Sequence, residues 1–110
     1  MKIYGIKNCD TVKKALAYLK EKQADFEFID FKKVPPTKED LKRWDAAFGE
    51  LPVNKRGPTF RKIKEEFEAA TKAGQISLLI ENSSAIKRPI LETPKATMRG
   101  FNAEEWDKLF

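Results

Sequence analysis

Val12, Ala15, Leu16 and Leu19 recur at i, i+3, i+4 and i+7, and their stripe lies between two short apolar runs, at 2–6 and 26–31. Positions at that spacing share one face of an α-helix, whereas the flanking runs have the length and residue types of strands. The segment therefore reads strand, helix, strand. Two strands joined by a helix within about thirty residues make a βαβ unit. Such a unit is parallel and right-handed, because a right-twisted strand packs back onto its sheet only that way. Phe26, Phe28, Ile29 and Phe31 crowd the second run with large apolar side chains, which predicts a strand buried on both faces. A chain that begins like this is α/β.

Pro35-Pro36 ends the unit. Thr37 with Asp40 three residues later marks a helix start, Leu41, Trp44 and Phe48 carry its stripe, and Gly49 stops it. After a polar loop at 51–58, Phe60, Ile63 and Phe67 predict a helix ending by Gly74, and Ile76, Leu79 and Ile80 a further short one. The stretch at about 35–86 is thus expected to be all-helical. Strand character returns at 89–93, Pro94-Lys95 makes a turn, and Thr97-Met98-Arg99 pairs back as a hairpin. Asn102 with Glu105 caps a last helix carrying Trp106 and Leu109. A length of 110 residues is expected to make one domain.

What is missing from the chain narrows its chemistry. It has one cysteine and no histidine. An internal disulfide is impossible, and neither a Cys–His dyad nor a Ser–His–Asp triad can activate a nucleophile. A zinc site would have to rest on carboxylates, so no metal is expected. The net charge of +5 comes with lysines and glutamates interleaved, as in Lys62-Ile63-Lys64-Glu65-Glu66, which is the pattern of solvated faces and argues against nucleic-acid binding. No apolar run approaches the ~20 residues of a membrane span, and Met1-Lys2-Ile3-Tyr4-Gly5 has no signal-peptide core. A cytoplasmic protein that makes no use of a membrane is the expectation.

Cys9 then stands out. Lys7-Asn8-Cys9-Asp10-Thr11 is where the first strand hands over to the first helix, and a thiol placed there faces unpaired N–H groups and the positive end of the helix dipole. Both favour thiolate, the nucleophilic form. Asp10 works against this, so cations from elsewhere must help. Arg56, in the loop, can offer an anion the bidentate fork that lysine lacks. Arg88, before Pro89 at a strand start, is a charged residue entering a central strand and so calls for a partner. Asn8 and Thr11 can bond to the sulfur, although capping of the helix explains Thr11 equally well.

The order β-α-β, helical block, β-β-α resembles the thioredoxin fold with a helical insertion. In that fold a βαβ half and a ββα half surround a four-stranded mixed sheet, with 1–34 and 87–110 as the core and 35–86 as the insertion. Three blocks narrow the likeness: Tyr4-Gly5-Ile6-Lys7-Asn8-Cys9-Asp10-Thr11, then Asn54-Lys55-Arg56-Gly57 with Phe60-Arg61-Lys62, then Ile86-Lys87-Arg88-Pro89-Ile90 with Gly100-Phe101. Together they resemble the arsenate reductase (ArsC) family, in particular its YffB-like branch, with Spx-like regulators as further relatives. The resemblance implies that Cys9 is the nucleophile, that Arg56 and Arg88 act in catalysis by binding the oxyanion, and that Pro89 is cis and presses on the active-site loop. Asn8, Asp10, Thr11 and Arg99 are expected to complete the anion site. It further implies no bound cofactor, glutathione as co-substrate with glutaredoxin as a further partner, and a small oxyanion or a disulfide as substrate. Val12 occupies the place of the second cysteine of Spx-like regulators, which excludes an intramolecular disulfide switch but leaves contact with RNA polymerase open as the alternative.

Overall fold

The computed structural model describes residues 1–110. Along the chain run β1 (Lys2–Gly5), α1 (Asp10–Glu21), β2 (Glu27–Asp30), α2 (Lys38–Phe48), α3 (Pro58–Ala69), α4 (Lys72–Glu81), a 3-10 turn (Ser83–Ala85), β3 (Ile90–Glu92), β4 (Thr97–Arg99) and α5 (Ala103–Asp107). These elements fall into two compact units, Met1–Val34 with Arg88–Phe110, and Pro35–Lys87.

The first unit is built on a four-stranded sheet of order β2-β1-β3-β4. β1 is parallel to β2, as a helical crossover demands, and β3 runs antiparallel to both β1 and β4. Ile3 and Leu91 from the sheet, Ala15 and Leu19 from α1 and Trp106 from α5 form a fully buried cluster, with Phe28, Met98 and Phe101 packed around it. Burying one such large apolar side chain stabilises by about 1.5–3 kcal/mol, so this cluster fixes α1 and α5 on one face of the sheet. At the start of α5, Asn102 Oδ1 accepts from the Glu105 amide at 3.1 Å, the cap expected there. Tyr18 ties the two helices at the periphery. Its ring meets Phe101, Trp106 and Phe110 edge-on at 5.5, 5.7 and 6.0 Å, and its hydroxyl donates to Asp107 Oδ1.

β2 corrects one expectation. It is an edge strand whose Glu27 is exposed and whose Phe28 and Ile29 are half-buried, not a strand covered on both faces. β3 takes the other side of β1, which leaves β2 with a single neighbour. Aromatic content reports the affinity of a strand for a core, and not its place in the strand order.

In the second unit the helix boundaries follow from local chemistry. Thr37 Oγ1 accepts from the Asp40 amide at 3.1 Å while Asp40 Oδ2 accepts from the Thr37 amide at 3.0 Å, a reciprocal capping box. Gly49 ends α2 at φ +76°, the left-handed region that glycine adopts freely. α4 packs against α2 and α3, with Lys72 Nζ 3.0 Å from Asp45 Oδ1. The expected helix over Phe60, Ile63 and Phe67 stops at Ala69, and Gly74 does not end it. Thr71 Oγ1 accepts from the Gly74 amide at 3.2 Å, so Gly74 belongs to the first turn of α4. No helix is long and apolar enough to cross a membrane.

Candidate active site

Cys9 closes the connection from β1 to α1. Its amide donates to the Ile6 carbonyl at 3.2 Å, and its carbonyl accepts from the Lys13 amide at 2.9 Å. The residue is therefore both the end of a tight turn and the N-cap of α1, at φ −97° and ψ 127°. An N-cap usually offers a side-chain oxygen to first-turn amides; the thiol makes no such bond and stays half-exposed. It thus sits where helix amides point outward and anions are favoured. Asn8, Asp10 and Thr11 are all exposed around it. Thr11 does not cap the helix, because Cys9 holds that position. Val12 is fully buried against the sheet, in keeping with its place in the stripe, and Gly5 lets β1 approach it closely.

Strand register places three more of the expected residues. Tyr4 opposes Ile90, and Ile90 opposes Arg99. The end of β1, the start of β3 and the end of β4 therefore lie at one end of the sheet. Cys9 follows β1, Arg88 and Pro89 precede β3, and Arg99 closes β4, so all four collect at that end. The Arg88–Pro89 peptide is cis. Pro89 is fully buried, and its carbonyl accepts from the Gly100 amide at 2.8 Å. Arg88 is half-buried and Arg99 exposed.

Arg56 belongs to the second unit. It lies in a tight turn closed by the Gly57 amide donating to the Asn54 carbonyl at 3.2 Å, and Gly57 in turn caps α3. At φ −79° any residue would fit the backbone, but a β-carbon on Gly57 would stand 2.8 Å from Asn54 Nδ2. A main-chain feature without any signature in the residue types holds this turn. Val53 and Ile86 form an antiparallel bridge, flanked by the Asn54 amide on the Ala85 carbonyl at 2.7 Å and the Lys87 amide on the Pro52 carbonyl at 2.9 Å. The turn carrying Arg56 is thereby pinned to the segment that ends at Lys87, the residue preceding Arg88. Neither arginine is engaged by an aspartate or glutamate. No cluster of side chains suited to a metal ion occurs.

The ArsC family model matches residues 4–109. This chain belongs to the ArsC family. Among solved ArsC-like structures, a YFFB protein is 39% identical over 97% of this chain and 96% of its own, with a TM-score of 0.88. An arsenate reductase (ArsC) related protein from Brucella melitensis is 36% identical over 97% of this chain and 91% of its own, with a TM-score of 0.71. The global transcriptional regulator Spx of Streptococcus pyogenes is 27% identical over 89% of this chain and 75% of its own length. A glutaredoxin of Archaeoglobus fulgidus, 17% identical over 98% of this chain and 82% of its own, shares the fold with a TM-score of 0.54. The ArsC sheet seen here is therefore thioredoxin-like, α/β, with the βαβ half before the helical segment in sequence and the ββα half after it.

Proposed function

We propose that this ArsC-family protein is a thiol-dependent reductase with Cys9 as its nucleophile and Arg56 and Arg88 as the groups that balance negative charge. The observation that carries the reading is the half-exposed Cys9 thiol at the N-cap of α1, at the sheet end that also holds Arg88 and cis-Pro89. On a disulfide, the Cys9 thiolate attacks one sulfur, the S–S bond breaks and the other sulfur leaves as thiolate. On an oxyanion such as arsenate, the Cys9 sulfur bonds to the central atom and water leaves. An outside thiol then attacks the Cys9 sulfur, and the electron pair of the sulfur–arsenic bond stays on arsenic, which departs trivalent. Either route leaves a mixed disulfide at Cys9, and a further outside thiol attacks its outer sulfur, carries that sulfur away as a new disulfide and frees the Cys9 thiolate. With one cysteine in the chain, the resolving thiols come from outside, two on the arsenate route and one on the disulfide route. Glutathione, with glutaredoxin for the last step, is the proposed source. Guanidinium groups suit such a site because they bind oxyanions through paired hydrogen bonds.

The test supplies glutathione and glutaredoxin and follows reduction of arsenate and, separately, of a low-molecular-weight disulfide. Turnover of at least one, abolished in Cys9→Ser and reduced in Arg88→Ala, is expected. Mass spectrometry after oxidised glutathione should show one adduct that Cys9→Ser lacks. No turnover of either substrate and no adduct, from a folded protein, would overturn the reading.

The likeness to Spx favours a second reading, a regulator that contacts the transcription machinery without catalysis. Capture of RNA polymerase, retained by Cys9→Ser, would support it over the first.

A further inference from the structure

The block Asn54-Lys55-Arg56-Gly57 with Phe60-Arg61-Lys62 is only partly used by the chemistry above. In the second unit, Lys55 and Arg61 line a hollow of about 620 Å³ together with Lys64 and Glu68 further along α3. Phe60 and Phe67, nearly buried and edge-to-face at 5.4 Å, supply its apolar wall. Gln75 of α4 completes it. We infer that this hollow is a docking site for an acidic segment of a partner protein that carries an apolar anchor residue.

Charge complementarity argues for the acidic character. Three cations face one carboxylate, and Lys55 and Arg61 are in no ion pair. Lys64 is held only by Glu68 at 4.0 Å, with both side chains more than half exposed, a weak surface pairing that yields easily to a better partner. The apolar part of the lining argues for the anchor: the uncovered rims of the two rings together with the aliphatic stems of Lys55, Arg61 and Lys64 gain when water is displaced from them. Gln75 argues for a peptide. Its Nε2 donates to the Phe67 carbonyl at 3.0 Å, which fixes the amide and leaves Oε1 as an acceptor. A peptide backbone supplies N–H donors for Oε1 and for the Glu68 carboxylate, whereas a bare polyanion supplies none. The size agrees, because the hollow lies within the ~300–1,000 Å³ range of organic-ligand sites and a single phosphate would leave most of it empty.

The experiment uses the whole chain and a fluorescein-labelled twelve-residue peptide of aspartate and glutamate with one central leucine. Anisotropy should show saturable binding, and amide shifts in an NMR titration should cluster on α3 and around Gln75. Arg61→Glu and Lys64→Glu should each weaken binding about tenfold. Lys108→Glu, an equal change of net charge on the exposed end of the other unit, should leave it within about twofold. Replacing the peptide's leucine by glycine should also weaken it. Equal losses in all three charge reversals, or indifference to the leucine, would reduce the effect to general attraction and overturn the proposal. Tighter binding of a single-stranded oligonucleotide of the same charge, sensitive to the same two variants, would overturn it in favour of nucleic acid.

Discussion

Gly5 and Val12 face each other at the base of the Cys9 turn so closely that a β-carbon on Gly5 would stand 2.8 Å from Cγ2 of Val12 and 3.3 Å from Cγ1. Val12 is fully buried, and its β-branched side chain has little rotameric freedom in a helix. The absent side chain at position 5 is thus what allows α1 to lie on the end of β1, and so what sets the height of the Cys9 N-cap above the sheet.

Gly5→Ala should accordingly destabilise the protein by about 1–3 kcal/mol, the usual range for overpacking. Val12→Ala alone should also destabilise, by loss of buried methyls, but the double variant should be more stable than the sum of the two losses predicts. Urea unfolding of the four proteins measures this coupling. Strict additivity would mean that the close approach has no energetic consequence.

Thr37→Ala removes the acceptor for the Asp40 amide and should cost about 1 kcal/mol. Thr37→Asn or Thr37→Asp should recover most of it. The same replacement at Thr71, where the partner amide is that of Gly74 and no reciprocal bond is formed, should be the milder of the two. Thermal unfolding monitored by circular dichroism separates them.

Tyr18 should make stability fall in alkali. Burial and the hydrogen bond to Asp107 raise its phenol from 10.0 to about 12, with the Asp107 charge adding to the effect. Between these values the folded state keeps a proton that the unfolded state has lost. The contribution is therefore complete below pH 10 and is lost as pH rises through about 12. Lys22 Nζ also stands 3.6 Å from Asp107 Oδ1, so the comparison must be with Tyr18→Phe, which leaves that pair in place. The fall in unfolding free energy from pH 9.5 to 11.5 should be shallower in Tyr18→Phe, and Asp107→Asn should shift the absorbance titration of the phenol downward. An identical slope in Tyr18→Phe would contradict the assignment.

Arg88→Ala should slow alkylation of Cys9 by an anionic reagent such as iodoacetate more than by neutral iodoacetamide, because a lost guanidinium no longer attracts the charge. A loss of about tenfold with iodoacetate is expected, partly restored in Arg88→Lys. Equal losses with both reagents would point instead to a disturbed loop.

The parts of the fold visible in the sequence were those governed by short spacings. The boxes at Thr37 with Asp40 and at Asn102 with Glu105 need only a neighbour three residues away, and both occur as read. The stripe of α1 likewise predicted the burial of Val12, Ala15 and Leu19. The cap at Thr71 was not legible, because its partner is Gly74, whose backbone amide leaves no trace in the residue types. The edge position of β2 was not legible, because strand order depends on β3, which begins sixty residues after β2 ends. In the candidate site, Cys9 was legible through its position between strand and helix, and Arg88 through the proline that follows it. The bridge between Val53 and Ile86 was not, since a lone pairing of residues far apart in sequence has no periodicity to reveal it.

That bridge and its two flanking bonds run between main-chain atoms alone. Side-chain replacement cannot remove such a clasp, except by proline at position 54 or 87, where the donated hydrogen would vanish. Evolution can therefore rewrite the residues around the arginine turn while its anchorage is inherited unchanged.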